Sequence, residues 1–340
     1  MWKLVNTHLY KHGFWTWESD VAMIEPFRLL ERQTLIAPLG VRFWDVATGV
    51  HVRNGLQVIA YPGTHYLHST TASSNRSGSA YVFHRAWGLR RFELGISDAP
   101  FPESPPTSQR YKIVVHDENR RFLPVRFSAD LPTAGVFQWP LAGPRTQLDP
   151  PDGSVPLYPS TLRSAPPGLA VLRAELYQSL NGARASWAMM EARFNGRLIG
   201  RGIADEQGRI ALIFAYPPPQ DSVGSSAISP PGSVRARLPF RNQEWTIQLQ
   251  AFYEPAVLSL PLSPPGPSGS PHREDLSVPE LSDILKQSPA NLFLDEAKTR
   301  PLTEVHLRYG PKVFVTPGSA TVSSPPNPIP LSILFVSPAG

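Results

Sequence analysis

Few groups in this sequence have side chains whose type and spacing could do chemistry. His65 and His68, in THYLH, stand three apart, a spacing that aims two imidazoles at one metal ion when it lies on a helix. Here they fall between strand-like runs beside a serine-rich loop, and are read as loop histidines. Asp117 and Glu118 in HDEN, and Asp205 and Glu206 in ADEQG, are adjacent carboxylates, the raw material of general acid–base work. Neighbours on a strand point to opposite faces, so each pair is read as a solvated turn former. A hydrolytic site assembled from His84, His116 and Asp117 beside a loop serine stays open, because such sites are defined by geometry rather than by order in the chain.

The stronger signatures of catalysis are missing. There is no Gly-x-Ser-x-Gly elbow, phosphate-binding glycine loop, His-Glu-x-x-His zinc pattern or dinucleotide fingerprint. The absence of cysteine removes thiolate nucleophiles, thiolate metal sites and disulfides. No catalytic residue, cofactor or metal site is therefore assigned. Two Arg–aromatic runs remain, Arg90-Arg91-Phe92 and Arg120-Arg121-Phe122. Each could stack single-stranded bases, but an apolar aromatic beside arginines on a wet face or partner interface is the reading preferred. Of eight tryptophans, those in strand patterns (Trp44, Trp87, Trp139, Trp187 and Trp245) are read as core anchors. Trp15 and Trp17, two apart, would share one strand face and are candidates for subunit contact. The candidate partner contacts are thus Trp15, Trp17, Arg90, Arg91, Arg120 and Arg121.

The elements that must position these groups are strands. The chain of 340 residues holds 39 prolines against 24 glycines, a density that breaks helices. From Thr34 onward, apolar–polar alternation is punctuated by turns at Thr48-Gly49, Asn54-Gly55 and Asp117-Glu118-Asn119. The run AYVFHRAWGLRRFELGI is read as one strand-rich segment. IALIFAYP is nearly all apolar and suits a strand covered on both faces, whereas WTIQLQAFY alternates as a half-exposed strand does.

The pattern predicts a mainly β protein with two tandem antiparallel β-sandwiches of the immunoglobulin-like kind, related by a weak repeat of about 100 residues. The expected division is an N-terminal Trp-rich segment at 1–33, a first sandwich at 34–139, a linker at 140–168, a second sandwich at 169–255 and a Pro/Ser/Gly linker at 256–278. A C-terminal unit at 279–340 completes it, with a helix of about two turns in PELSDILKQSP, a hairpin around Gly310-Pro311 and a last strand near 331–336. Those last strands are expected to dock on the body or on a partner, because two or three strands alone are marginal in water.

The net charge of +5, from 32 basic and 27 acidic residues, is spread along the chain rather than gathered in a block, so nucleic-acid binding is not expected. No window holds the ~18 apolar residues of a membrane span, and the N-terminus lacks a signal-peptide pattern. The protein is expected to be soluble and unprocessed.

The order of strand, Thr-Gly turn and strand in VRFWDVATGVHVRNGLQVIAYP, with GIADEQGRIALIFAYPPP, resembles the transthyretin-like, carboxypeptidase-regulatory-like sandwich, a non-catalytic module. The wider arrangement is similar to accessory proteins of extracellular contractile injection systems, the phage-tail-like particles of bacteria. It comprises RFWDVATG…GLQVIAYP, VVHDENRRFLPVRFSADLP, the stretch from VPLYPSTLRSAPPG to IALIFAYPPP, and PELSDILKQSPANLFLD…LRYGPKVFVTPG. That resemblance implies a structural or adaptor subunit made in the bacterial cytoplasm and belonging to a cytoplasmic or released particle, whose partners are other protein subunits, with no catalytic residue to carry over. A stand-alone carbohydrate- or peptide-binding module is the alternative.

Overall fold

The computed structural model describes residues 4–5, 34–63, 68–75, 79–94, 108–133, 135–140, 146–219, 243–259, 278–310, 313–314 and 332–338. Trp15, Trp17 and most of the N-terminal segment and the 256–278 linker lie outside them. The protein is mainly β, and its strands gather around two principal apolar cores.

The first core lies among three sheets. Leu56–Pro62 and Gln109–Asp117 pair antiparallel at the centre of a four-stranded sheet, flanked by Val125–Leu131 and Thr70–Thr71. Alternation places Tyr111, Ile113 and Val115 in the core. Val114 points the other way and meets Ile59 and Tyr61, so this sheet is buried on both faces. Leu39–Val41, Ala80–Phe83 and Ser73–Asn75 form a second sheet, and Phe43–Asp45 lies between Val50–His51 and Val155–Leu157 in a third. Val155–Leu157 falls within the stretch read as a linker, yet it pairs in parallel with Phe43–Asp45 and buries Val155 and Leu157 completely.

Around the second core runs a nine-stranded sheet. Glu244–Phe252 alternates as its sequence predicts, with Trp245, Ile247, Leu249 and Ala251 inward, and Arg209–Ala215 is covered on both faces from Ile210 to Phe214. The two end strands, Arg197–Ile203 and Arg209–Ala215, fold towards each other and almost close the sheet. Gly200 and Gly202 permit that approach: a Cβ on Gly200 would stand 2.8 Å from the Phe214 ring, and one on Gly202 would stand 2.8 Å from the Ala211 carbonyl oxygen.

The C-terminal segments belong to both cores. Val278, Leu281 and Ile284 enter the first, whereas Leu334 and Val336 enter the second. The last strand, Ser332–Pro338, joins the two halves of the large sheet, parallel to Leu169–Gln178 and antiparallel to Pro289–Phe293. The expected docking of the tail is therefore on this chain's own body.

Three local expectations are corrected. The helix in PELSDILKQSP is a single turn, Leu281–Ile284, because the buried Gln287 amide takes the Ile284 carbonyl at 3.1 Å and the Trp187 carbonyl at 2.8 Å, holding the chain where it leaves the helix. The strands flanking Gly310 do not form a hairpin: Glu304–Arg308 pairs with Glu244–Phe252, and Val313–Phe314 with Leu169–Gln178. The run AYVFHRAWGLRRFELGI is not continuously β, for its strand ends at Phe83 and Arg90–Glu93 is a helical turn. Glu93 holds that turn by accepting the Ala86 amide at 2.9 Å.

Candidate functional site

Two turns of the same construction face one cleft. In each, an aspartate opens the turn, a residue with positive φ sits three positions later, and an arginine sits at the fourth. The first is Asp117-Glu118-Asn119-Arg120-Arg121, at the end of the central strand Gln109–Asp117. The amide of Arg120 donates to the Asp117 carbonyl at 3.0 Å, and Arg120 takes φ 54°. The second is Asp205-Glu206-Gln207-Gly208-Arg209, which leads into Arg209–Ala215. The amide of Gly208 donates to the Asp205 carbonyl at 2.9 Å, and Gly208 takes φ 72°.

The aspartate side chains complete both turns. Asp117 accepts the Arg121 amide, the Phe122 amide at 3.3 Å, and the Arg121 guanidinium through Nη2 at 2.8 Å and Nε at 3.1 Å. Asp205 accepts the amides of Gln207 and Arg209 and the Arg209 Nε, each at 2.9 Å. Asp205 forms the turn as expected, though only 13 % of its side chain is exposed. Asp117 is not solvated, because its side chain has no exposed surface. Its carboxylate raises the Arg121 guanidinium above the usual range, chiefly through their hydrogen bond.

A third segment closes the cleft. Residues 158–162 run beside the first turn, with the Ser160 amide on the Arg121 carbonyl at 2.9 Å, the Ser160 hydroxyl on the Arg120 carbonyl, and a bridge between Phe122 and Pro159. Arg163 then turns inward and grips the buried Asp45 with two bonds, Nη1 to Oδ1 at 2.9 Å and Nη2 to Oδ2 at 2.6 Å. The Phe122 ring carries both guanidinium groups, with Arg163 at 4.9 Å and Arg121 at 5.2 Å from its centre. The resulting cleft has a volume of about 240 Å³, an apolar floor of Phe122, Leu123 and Pro124, and a rim that includes Arg120, Thr161, Leu162 and Arg209.

Of the expected contact residues, Arg120 lines this cleft and Arg121, next to it in the turn, does not. Arg121 is occupied inside the fold, its Nη2 also reaching the Asn54 carbonyl at 2.9 Å. Arg120 is exposed, and among the described residues its guanidinium makes no hydrogen bond or ion pair. Arg90 and Arg91 belong to the helical turn at 90–93, away from the cleft, and Arg90 is exposed.

His116 and Ser160 line the same cleft, whereas His84 does not. The Ser160 hydroxyl is directed at a carbonyl and the Asp117 carboxylate at Arg121, so the Ser–His–Asp relay left open by the sequence is not assembled here. His68, with 42 % exposed Trp87, forms an outward-facing stack at 4.9 Å and 8° between ring planes. Trp87 is thus not the core anchor expected; Gly88, at φ 81°, turns the chain there, while Tyr111 donates its hydroxyl to the Trp87 carbonyl.

Sequence reasoning missed that HDENRRF and ADEQGRI are one motif used twice. Its signal was present, as Asp-Glu-polar-x-Arg followed by an apolar residue. Among the described residues no group of three or more His, Asp or Glu is gathered as a metal site, and no helix is long and apolar enough to cross a membrane. No protein-family model matches the chain, and no curated protein is found similar to it.

Proposed function

We propose that this chain is a non-catalytic structural or adaptor subunit of a larger protein assembly, of the phage-tail-like contractile type, acting through protein–protein contacts. The observation that supports this reading is the internal neutralisation of the cleft. Asp117 is held by Arg121, Asp205 by Arg209, and the Ser160 hydroxyl by a carbonyl. Beside these pairs Arg120 and the 67 % exposed Leu162 face outward, and among the described residues the Arg120 guanidinium has no ion pair. Such side chains recognise a surface, and arginine is enriched at interfaces. The docking of the tail on its own sheet leaves the cleft, rather than the C-terminal strands, as the contact surface in this reading.

The test is to tag the chain in its native host, recover what travels with it and image the product by electron cryomicroscopy. Repeating density for this chain at a fixed position in a particle is the expected result. Recovery as a lone monomer overturns the proposal.

The outward-facing stack of Trp87 on His68 favours a second reading, a stand-alone module with an aromatic platform for a sugar ring. Saturable binding to one glycan on an array, abolished by Trp87→Ala, would favour it.

A further inference from the structure

We infer that the cleft between the two Asp–Arg turns takes an extended, carboxylate-bearing segment of a partner protein, with Arg120 pairing with the carboxylate and Leu162 covering the residue beside it. The inference rests on the protein-contact reading above and names the chemistry of the partner.

Charge is the first argument. Asp117 and Asp205 each have an arginine of their own within 2.9 Å, so the acidic groups at the cleft are balanced from within. Among the described arginines lining the cleft, Arg120 is the one without an acidic partner. Arg209 on the same rim is charge-balanced by Asp205, so the Arg120 guanidinium beside Leu162 adds one net positive charge, which matches a singly charged carboxylate that it can grip with two parallel bonds; a phosphate carries more charge than this. Phe122, Leu123 and Pro124 line the same cleft and offer apolar contact to the partner's neighbouring side chain.

The backbone supplies the second argument. Arg120 occupies a left-handed position, φ 54°, where the sister turn has Gly208 at φ 72°. The turn can therefore be built with glycine, and a residue with a Cβ there costs about 1 kcal/mol. Among the described residues this arginine's side chain makes no hydrogen bond or ion pair, and its exposed guanidinium is open to a partner. The Ser160 hydroxyl on the Arg120 carbonyl holds the backbone that carries this side chain.

The experiment measures fluorescence anisotropy of the full chain with a labelled, acetylated peptide of alternating Glu and Leu, against a Gln/Leu control and inorganic phosphate. The Glu/Leu peptide is expected to bind at least about tenfold more tightly than the control. Arg120→Gly should lose about tenfold while its melting temperature stays equal or rises, because glycine relieves the left-handed backbone. Leu162→Ser, at an exposed site, should lose a few-fold and gives an independent reading should Arg120→Gly fold poorly. Equal binding of the two peptides, undiminished binding by both variants, or displacement by phosphate at the concentration of the peptide overturns the inference. Particles that incorporate Arg120→Gly at wild-type occupancy, when the peptide fails to bind, would sink the cleft assignment and leave the subunit reading intact. Peptide binding by a chain that enters no particle would do the reverse.

Discussion

The turns at Asp117 and Asp205 share a plan and differ in how deeply it is buried. In the first, the carboxylate has no exposed surface; in the second its side chain is 13 % exposed. The first is wrapped by residues 158–162 and shares its arginine with the Asn54 carbonyl. The second is pinned from the other side, where the Leu176 amide donates to the Gly208 carbonyl at 2.7 Å and the Ser186 hydroxyl donates to the Glu206 carbonyl at 2.6 Å. The same local device thus serves as a buried electrostatic knot in one place and as a rim in the other. Identical letters do not carry identical energies, because the surroundings decide what each hydrogen bond replaces.

The aspartates should separate the two turns most sharply. Asp117→Ala leaves two amides and the one-third exposed Arg121 guanidinium without their acceptor, and should cost about 2–4 kcal/mol, somewhat below the scale for breaking a fully buried ion pair from one side. Asp205→Ala removes a turn cap that water can partly replace and should cost about 1–2 kcal/mol. Urea denaturation of both variants measures the difference; equal losses would mean that burial does not distinguish the turns.

The difference was only half legible in the sequence. Alternation in WTIQLQAFY and the apolar run IALIFAYP pointed directly to Trp245, Ile247, Leu249 and the Ile210–Phe214 stretch as buried strand positions, since period and burial are local properties. The Asp-to-Arg spacing of four was equally visible. What could not be read is that residues 158–162 lie along Arg121, that Arg163 reaches back to Asp45, or that Ser332–Pro338 inserts in parallel beside Leu169–Gln178. Each of these joins segments far apart in the chain, and no local periodicity encodes which distant strand becomes the neighbour. Trp87 failed for a related reason, because a residue type known for cores was read without the Gly88 turn that places it outside.

The left-handed positions sharpen the comparison next. A Cβ on Gly208 would stand 2.5 Å from the Leu176 carbonyl oxygen and 3.4 Å from the Ala185 nitrogen, both backbone atoms that cannot yield without moving a strand. Gly208→Ala should therefore cost about 2–3 kcal/mol, from the left-handed backbone and the collision together. Arg120 already carries a Cβ at the matching position, so its surroundings are open where those of Gly208 are closed. A loss below that of an ordinary exposed Gly→Ala change would show that the two sites are equally open, contrary to the structure.

The arginines give the smallest and most discriminating contrast. Arg121 uses its flat fork on three acceptor atoms, Asp117 Oδ1, Asp117 Oδ2 and the Asn54 carbonyl, while lying over Phe122. Lysine keeps the charge but has neither the fork nor the flat face, so Arg121→Lys should cost about 1–2 kcal/mol. Arg209 is 42 % exposed and meets Asp205 through Nε alone, and an exposed pair of this kind contributes little beyond what a lysine would supply. Arg209→Lys should stay within about 0.5 kcal/mol of wild type. Because both substitutions preserve charge, a gap between them in thermal melts isolates geometry from Coulomb attraction; if the two variants melted together, the buried knot would owe its strength to charge alone.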